Sequence, residues 1–369
     1  MRSDKVQIQF CAALVDPDWD TFVTNSLDPH HEQTSLWGNL QRRRGWEAVR
    51  IIARKNGSIL GGTQLLYRPF GRLFRLGYIN RGPLLDHYNP IVRDALLDAI
   101  VGYAMKLRLV YLALILPYSG RQLIEPLKRL GFFEGPDFLP PRTPMLSTIV
   151  LDLSPSLEDI LRGMKDTQRK HIRQAERRGL SMRMGNKSDL RSFARLLISL
   201  CERRGERPNI PTDDFLESLW DAFAPQGQVR LFIAEQEQEA VTALLVFHMD
   251  RWARSWRIGW SGKYSEKRPN ELAYWEAIKW AKAAGCRYFD FVGFDTKMAN
   301  AMAGGNQTPP SVTCGASSFK LGFGGTVLPL YPRYCLFLNP LLGIPFRLAN
   351  RSRMLSRALA GLFSKTGLG

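Results

Sequence analysis

The feature that most constrains the fold is a set of five predicted elements that occurs twice along the chain in the same order. Each set contains two strands joined by a turn, a third strand, a helix, and a short apolar run typical of a buried strand. The first set covers residues 48–53, 59–67, 74–80, 90–109 and 110–116, and the second covers residues 229–234, 240–249, 254–260, 269–285 and 287–292. This duplication predicts an α/β (α+β) protein with two tandem domains, each a mixed central sheet flanked by helices.

The repeat also predicts where the domains lie. We expect a first domain over residues 1–150, a second over residues 151–333, and a basic amphipathic tail over residues 334–369. The tail alternates apolar with basic residues: Leu348, Met354, Leu355 and Leu359 with Arg347, Arg351, Arg353 and Arg357. This pattern is typical of an interfacial helix on an acidic bilayer, and equally of a helix docked on the second domain.

A strongly basic stretch, residues 161–180, opens the second half of the chain. Read as one helix, it places five cations within an arc of about 120°: Arg162, Lys165, Arg169, Arg173 and Arg177. The start is predicted near Ser154–Glu158 and the end at Gly179. Such a face fits an anionic ligand in a cleft between the two domains, and a solvated helix face is the alternative.

The charge balance of the whole chain agrees with an anionic partner. Lys and Arg number 51 against 34 Asp and Glu, so the formal net charge is +17. Such an excess favours nucleic acid, acidic lipid headgroups or phosphorylated substrates without choosing among them. The five cysteines are scattered, which fits a reducing compartment. With no secretory signal or long apolar segment visible, we expect a cytoplasmic protein.

Several well-known classes of site leave no trace in the sequence. There is no Walker loop, no G-x-G-x-x-G fingerprint and no G-x-S-x-G elbow. The five histidines show no metal-ligand spacing, so no metal site is expected. The closest approach to the acyl-CoA pyrophosphate loop [QR]-x-x-G-x-[GA] is RPFGRL at residues 68–73, which fails at its last position.

Five short motifs, in order, carry a family resemblance. They are QTSLWG (33–38), RGP (81–83), RKHIRQA (169–175), YFDFVG (288–293) and FKLGFGG (319–325). Together they resemble the FemA/FemB/FemX family of peptidoglycan-bridge aminoacyltransferases, which have two GNAT-like domains. The resemblance implies transfer of an amino acid from aminoacyl-tRNA, the co-substrate, to an amine of a lipid-linked or UDP-linked peptidoglycan precursor. It implies no further cofactor, and leaves room for peripheral contact with an acidic membrane.

The resemblance also implies roles for residues of the second half. Lys320 matches the family lysine and is expected to stabilise negative charge in the reaction, with Phe319 beside it at the substrate. Asp290 is expected either to orient a catalytic group or to make a structural hydrogen bond. Arg169, with Lys170 and Arg173, is expected to bind the phosphates of the precursor. For Lys320 and Arg169 the alternative is an ordinary surface cation.

In the first half, the resemblance points to substrate contacts around Trp37, whose alternative role is a packing anchor. The family often has a lysine four residues later, where this chain has Gln41, followed by Arg42. A guanidinium would replace an ammonium there only imperfectly. The family also often has an acid where this chain has Leu116, so the proton acceptor must be another base, the substrate or water.

Three functions remain open at this point. The leading interpretation is the aminoacyltransferase described above, acting in cell-wall biosynthesis. The second is a GNAT-like N-acyltransferase that uses a thioester donor and acts on an exopolysaccharide or another small amine. The third is a non-catalytic scaffold that binds an anionic polymer or membrane. The amino acid, the acceptor amine and the oligomeric state are not predicted.

Overall fold

The computed structural model describes residues 5–70, 74–136, 138–139, 146–206, 213–303, 315–349 and 352–364. The chain divides into two compact units. One unit contains Met1–Pro144 together with Leu330–Gly369, and the other contains Met145–Pro329. The segment that the sequence sets apart as a tail, residues 334–369, therefore belongs to the first unit.

The elements of the first unit up to residue 144 follow the predicted order. The strands are β1 (Gln7–Cys11), β2 (Glu47–Lys55), β3 (Ser58–Phe70), β4 (Phe74–Asn80), β5 (Leu84–Leu85), β6 (Leu109–Ile115) and β7 (Phe133–Glu134). The helices are α1 (Pro17–Asn25), α2 (Ser35–Arg42), α3 (Pro90–Lys106) and α4 (Ile124–Arg129).

The second unit repeats this order. Its strands are β8 (Ser147–Asp152), β9 (Ser181–Met184), β10 (Val229–Gln236), β11 (Glu239–Met249), β12 (Trp252–Trp260), β13 (Tyr288–Asp290) and β14 (Thr326–Pro329). Its helices are α5 (Leu157–Gly163), α6 (Asp166–Arg177), α7 (Leu190–Arg203), α8 (Asp213–Phe223), α9 (Pro269–Ala283), α10 (Thr296–Ala303) and α11 (Ala316–Gly322). The chain then enters β15 (Tyr334–Phe337), α12 (Pro340–Ala349) and α13 (Arg353–Ser364).

The two sheets have matching topologies. The first has the order β1-β2-β3-β4-β6-β15-β7, with β5 paired to β3, and the second has the order β14-β8-β13-β12-β11-β10-β9. In each, three consecutive antiparallel strands are followed by a helix and one parallel partner, β4 to β6 and β12 to β13. This is the predicted duplicated α/β fold with mixed sheets, and it is confirmed.

The helix between each parallel pair covers its sheet with an apolar face. In α3 the buried positions include Leu96, Leu97, Ile100 and Ala104, and in α9 they include Leu272, Trp275, Ile278 and Ala281. The start of α3 is capped by a side chain. Asn89 accepts hydrogen bonds from two backbone amides at the start of α3, immediately before Pro90.

The basic stretch forms two helices, so the prediction of a single helix was wrong. The chain leaves helical geometry at Met164 and Lys165, between α5 and α6. The break is stabilised by hydrogen bonds from elsewhere, because the Lys165 amide donates to the Gly322 carbonyl at 3.0 Å. Local helix propensity is a weak preference that tertiary hydrogen bonds override. Consequently the basic residues no longer share one continuous arc.

The tail is tied to the first sheet through one strand. β15 pairs antiparallel with β6, from Tyr334–Leu114 to Phe337–Tyr111, and its other edge carries β7. The sequence left open whether the tail docks on the second domain. The structure instead places its strand, β15, in the sheet of the first unit. Among the described residues, no helix is long and apolar enough to cross a membrane.

Candidate functional site

The candidate site of the second unit lies at the carboxyl end of β13, where Lys320 contacts the backbone. After β13 the chain turns sharply, with positive φ angles at Val292 (48°) and Gly293 (82°). The Nζ atom of Lys320, on α11, donates to the carbonyl oxygens of Val292 at 2.7 Å and Gly293 at 2.9 Å. Burial lowers the pKa of Lys320 to about 8, although the Asp290 carboxylate opposes this shift. The result is a fixed, half-buried ammonium group at neutral pH.

Asp290 is fully buried and organises the turn that Lys320 contacts. One of its oxygens accepts from the Thr148 hydroxyl at 2.6 Å and from the Val292 amide at 2.8 Å. The Thr148 hydroxyl oxygen in turn accepts from the Gly293 amide at 3.2 Å. The other carboxylate oxygen lies 3.6 Å from Nε of Arg254. Asp290 therefore acts on Lys320 through the backbone, and the expectation of a structural hydrogen bond describes these contacts.

Thr148 and Arg254 are site residues that sequence reasoning missed. They come from β8 and β12, the two strands that flank β13 in the sheet. The only available signal was the carboxylate itself, since Asp290 at the end of an apolar strand requires buried donors. That requirement predicts that partners exist, but it does not identify them.

Phe319 packs in an aromatic cluster under the same helix. Its ring lies 5.5 Å from Tyr274 and 5.4 Å from Phe323, measured between centroids, and Phe291 lies 5.4 Å from Phe323. These separations are typical of edge-on and tilted aromatic contacts. Burial raises the pKa of Tyr274 to about 12, so its phenol stays protonated at neutral pH. The cluster anchors α11 and so fixes the position of the lysine that follows Phe319.

The glycines of FKLGFGG permit two close backbone approaches. A Cβ atom on Gly322 would lie 2.7 Å from Oε1 of Gln168 on α6. Gly325 has a φ of +93°, and a Cβ atom there would lie 2.7 Å from the Val150 carbonyl oxygen on β8. Only glycine fits both the space and the φ angle at the second position. The motif therefore fastens α11 between α6 and β8.

The structure separates Arg169 from the other two predicted phosphate ligands. The Arg169 guanidinium donates to the carbonyl oxygens of Arg162 at 2.9 Å and Met164 at 2.6 Å, and it pairs with Asp166. These are the carbonyls at the end of α5, which otherwise lack helical partners. Most of the hydrogen-bonding capacity of Arg169 is thus used within the protein.

Lys170 and Arg173 remain together on α6. They line an open depression, along with Gln174, Arg177 and Arg178. Arg178 donates to the Glu266 carbonyl oxygen, which holds that side of the depression in place. Four cationic side chains around one concave surface create a local positive potential suited to phosphate or carboxylate groups.

The predicted first-unit residues are mostly inside the fold. Trp37 is buried and packs edge-on against His31 with a centroid separation of 5.0 Å, while Gln41 is buried on the same helix. Arg42 lies 3.2 Å from a carboxylate oxygen of Glu47 and donates to the Ala12 carbonyl. The contacts of Trp37 fit the packing-anchor alternative, and the structure does not bring Gln41 to an exposed surface.

Gln33, the first residue of QTSLWG, is a fully buried organiser that the sequence did not single out. Its side-chain oxygen accepts from the backbone amide of Gln64 at 2.8 Å, and its side-chain nitrogen donates to the backbone carbonyl of Asn80 at 2.5 Å. Gln33 thereby ties α2 to β3 and to the end of β4. Leu116 is buried beyond the end of the parallel strand β6. Across the part of the chain that the structure describes, no cluster of metal-ligating side chains occurs.

Comparisons with known proteins agree with this architecture. A family model described as "Acetyltransferase (GNAT) domain" matches residues 165–302. The crystal structure of FemX superposes with a TM-score of 0.78 at 18% identity, covering 91% of this chain and 98% of that one. L-PGS from Bacillus licheniformis superposes with a TM-score of 0.51 at 14% identity, covering 94% and 98%. The fold is therefore that of a tandem GNAT-domain protein.

A comparison of sequences adds a curated relative to these structural similarities. The lipid II:glycine glycyltransferase of Staphylococcus aureus strain MRSA252 is 28% identical over 236 residues, which cover 60% of this chain and 54% of that protein. The chain thus spans about half the length of the curated relatives it matches. These similarities to FemX and to the lipid II:glycine glycyltransferase agree with the resemblance to the FemA/FemB/FemX family that the sequence motifs carry.

Proposed function

We propose that this protein is an aminoacyltransferase that moves an amino acid from aminoacyl-tRNA to a peptide amine of a peptidoglycan precursor. The observation that carries the proposal is the Lys320 ammonium, held by two backbone carbonyls at the end of β13. The name of the S. aureus relative, a lipid II:glycine glycyltransferase, supports a lipid-linked precursor as acceptor.

The reaction places negative charge where a fixed ammonium can meet it. The neutral acceptor amine attacks the ester carbonyl, a C–N bond forms, and the carbonyl oxygen becomes an oxyanion. The C–O bond to the tRNA ribose then breaks, and the ribose oxygen takes up a proton as the amine loses one. Two of the three N–H donors of Lys320 are used by Val292 and Gly293, which leaves one for the oxyanion or the ribose oxygen. Because two backbone carbonyls already fix the ammonium, it needs little reorganisation during the reaction.

The proposal assigns the other residues to positioning and binding. Asp290 and Thr148 hold the turn that orients Lys320. Leu116 supplies no base, so the departing ribose oxygen or water receives the proton of the amine. Lys170 and Arg173 bind phosphate groups of the precursor. Because aminoacyl-tRNA is a cytoplasmic donor, we place the reaction in the cytoplasm and require no further cofactor.

A direct assay distinguishes the three candidate functions. The protein is incubated with a pool of charged tRNAs and either a lipid-linked or a UDP-linked precursor, and the products are identified by mass. The proposal expects one amino acid to leave its tRNA and appear on one precursor, with transfer by Lys320→Met about 10²–10³-fold slower. Transfer from an acyl thioester to an amine, without use of charged tRNA, would establish the N-acyltransferase alternative. Tight binding of precursor with no transfer from either donor would establish the scaffold.

A further inference from the structure

Helix α12 has an apolar side that faces outward. Leu341, Ile344 and Leu348 follow one another at helical spacings of three and four residues, so they share one side of the helix. All three are exposed, and Leu341 is 73% exposed. On the other side, Gly343 is buried and Phe346 stacks on Phe337 of β15 with ring centroids 4.6 Å apart. The helix is therefore docked by one apolar side while a second apolar side stays uncovered, the opposite of a normal surface helix.

The next helix continues this pattern with a cation. α13 packs against α12, and its Leu355 and Leu359 are half-buried. Its outward side carries Met354, which is 85% exposed, and the exposed Arg357 three residues later. We call Leu341, Ile344, Leu348 and Met354 the outer apolar set. Large aliphatic side chains exposed on neighbouring helices mark an interaction surface.

The charged residues of this region are all cationic. The chain has no Asp or Glu after Asp295, although eight Lys and Arg residues follow. Four of these cations are arginines that lie between residues 340 and 364. The Arg347 guanidinium hydrogen-bonds within the protein, donating to the Gly131 carbonyl at 2.9 Å. Arg357 is exposed and lies beside Met354 on the outer side of α13. The outer apolar set is thus presented by an acid-free, cationic segment.

From this combination we infer that α12 and α13 bind the surface of an anionic lipid bilayer. Aliphatic side chains enter the boundary between headgroups and acyl chains, while nearby arginines meet the anionic headgroups. A second copy of the chain is disfavoured as the occupant, because it would bring two acid-free cationic segments together. The inference is independent of the chemistry at Lys320, and it would bring the protein to the surface where a lipid-linked acceptor is found.

Vesicle flotation with the full-length protein tests the inference. Wild-type protein should float with phosphatidylcholine vesicles containing about 30% phosphatidylglycerol, and not with pure phosphatidylcholine. The triple variant Leu341→Gln, Ile344→Gln, Leu348→Gln should partition about tenfold less or weaker still, because its apolar insertion is lost. Arg357→Gln should weaken binding about fivefold, and added salt should weaken the wild type further.

The controls use apolar side chains and cations outside this region. Leu27 and Ile91 are 71% and 72% exposed, so Leu27→Gln with Ile91→Gln matches the exposure of Leu341. Arg191, exposed on α7, serves as the matched cation in Arg191→Gln. Both controls should bind vesicles as the wild type does. The single variant Met354→Gln, at the most exposed position, gives the same test if the triple variant does not fold.

Three results would overturn the inference. The first is wild-type protein that ignores anionic vesicles or binds neutral vesicles equally well. The second is a folded triple variant that floats as the wild type does. The third is a wild-type dimer, seen by sedimentation velocity without lipid, that the triple variant converts to monomer, since the surface would then be an interface between copies.

Discussion

Replacing Lys320 with methionine removes the charge of the candidate site and keeps most of the length of the side chain. The ammonium is fixed by hydrogen bonds of 2.7 and 2.9 Å to the Val292 and Gly293 carbonyls. Loss of one preorganised donor to an oxyanion typically lowers kcat by about 10²–10³-fold. We expect a loss of this size in kcat for aminoacyl transfer, with a much smaller change in KM for either substrate. Lys320→Arg should recover only part of the rate, because a planar guanidinium cannot occupy the same point.

The depressed pKa adds a second, independent signature. The ammonium is the active form, so the ratio of wild-type to Lys320→Met rates should be constant below about pH 8 and fall above it. Taking the ratio cancels the titration of the acceptor amine, which is common to both proteins. Stability should change in the opposite sense. The folded protein releases the proton near pH 8 and the unfolded chain near 10.5, so the free energy of unfolding rises between these values.

The size of the stability effect follows from the same two pKa values. Their separation corresponds to about 3 kcal/mol, expressed as a rise in wild-type stability relative to Lys320→Met between about pH 8 and 10.5. Denaturant unfolding across this range measures the difference directly. Lys282→Met is the matched control, because Lys282 also donates from Nζ to a backbone carbonyl, that of Leu153 at 2.7 Å. A folded Lys320→Met protein that transfers within twofold of the wild-type rate, with a flat rate ratio up to about pH 9.5, would refute the assignment.

Other variants test the supporting contacts. Thr148→Val removes the hydroxyl that bonds both Asp290 and the Gly293 amide. We therefore expect kcat to fall about tenfold and the free energy of unfolding to fall by about 1–3 kcal/mol, and Thr148→Ser should restore both. Wild-type kinetics in Thr148→Val would contradict the positioning role. The double variant Lys170→Glu, Arg173→Glu should raise KM for the precursor and flatten the salt dependence of that KM. The control Arg195→Glu on α7 should do neither. Equal effects of the double variant and the control would point to net charge alone. Arg169→Gln should lower the free energy of unfolding by about 1–2 kcal/mol in thermal or denaturant unfolding, because two carbonyls at the end of α5 lose their donor. A loss of precursor binding without a loss of stability would instead show that Arg169 is a ligand.

Local patterns in the sequence determined the elements and their order. Strand alternation, the Asn–Gly turn between β2 and β3, and the Asn89–Pro90 start of α3 each depend on residues close together in the chain. Their recurrence in the second half predicts the duplicated domain, because the same succession of local elements packs in the same way. The motif at residues 319–325 was recognised by its family resemblance, and the structure shows that its glycines permit tight backbone approaches.

Tertiary structure decided the contacts that join distant parts of the chain. Thr148 and Asp290 are 142 positions apart in sequence and 2.6 Å apart in space, and only the pairing of β8 with β13 brings them together. The break in the basic stretch depends on the Gly322 carbonyl, and β15 enters the first sheet only after the whole second unit has been traversed. Hydrogen bonds of this kind leave no periodic trace, because any polar side chain or backbone amide can supply them. The sequence by itself therefore determined the duplicated set of strands and helices, and its motifs singled out Lys320 and Asp290. Packing alone decided that Arg169 closes the end of a helix, that Asp290 acts through a backbone turn, and that α12 leaves an apolar side in water.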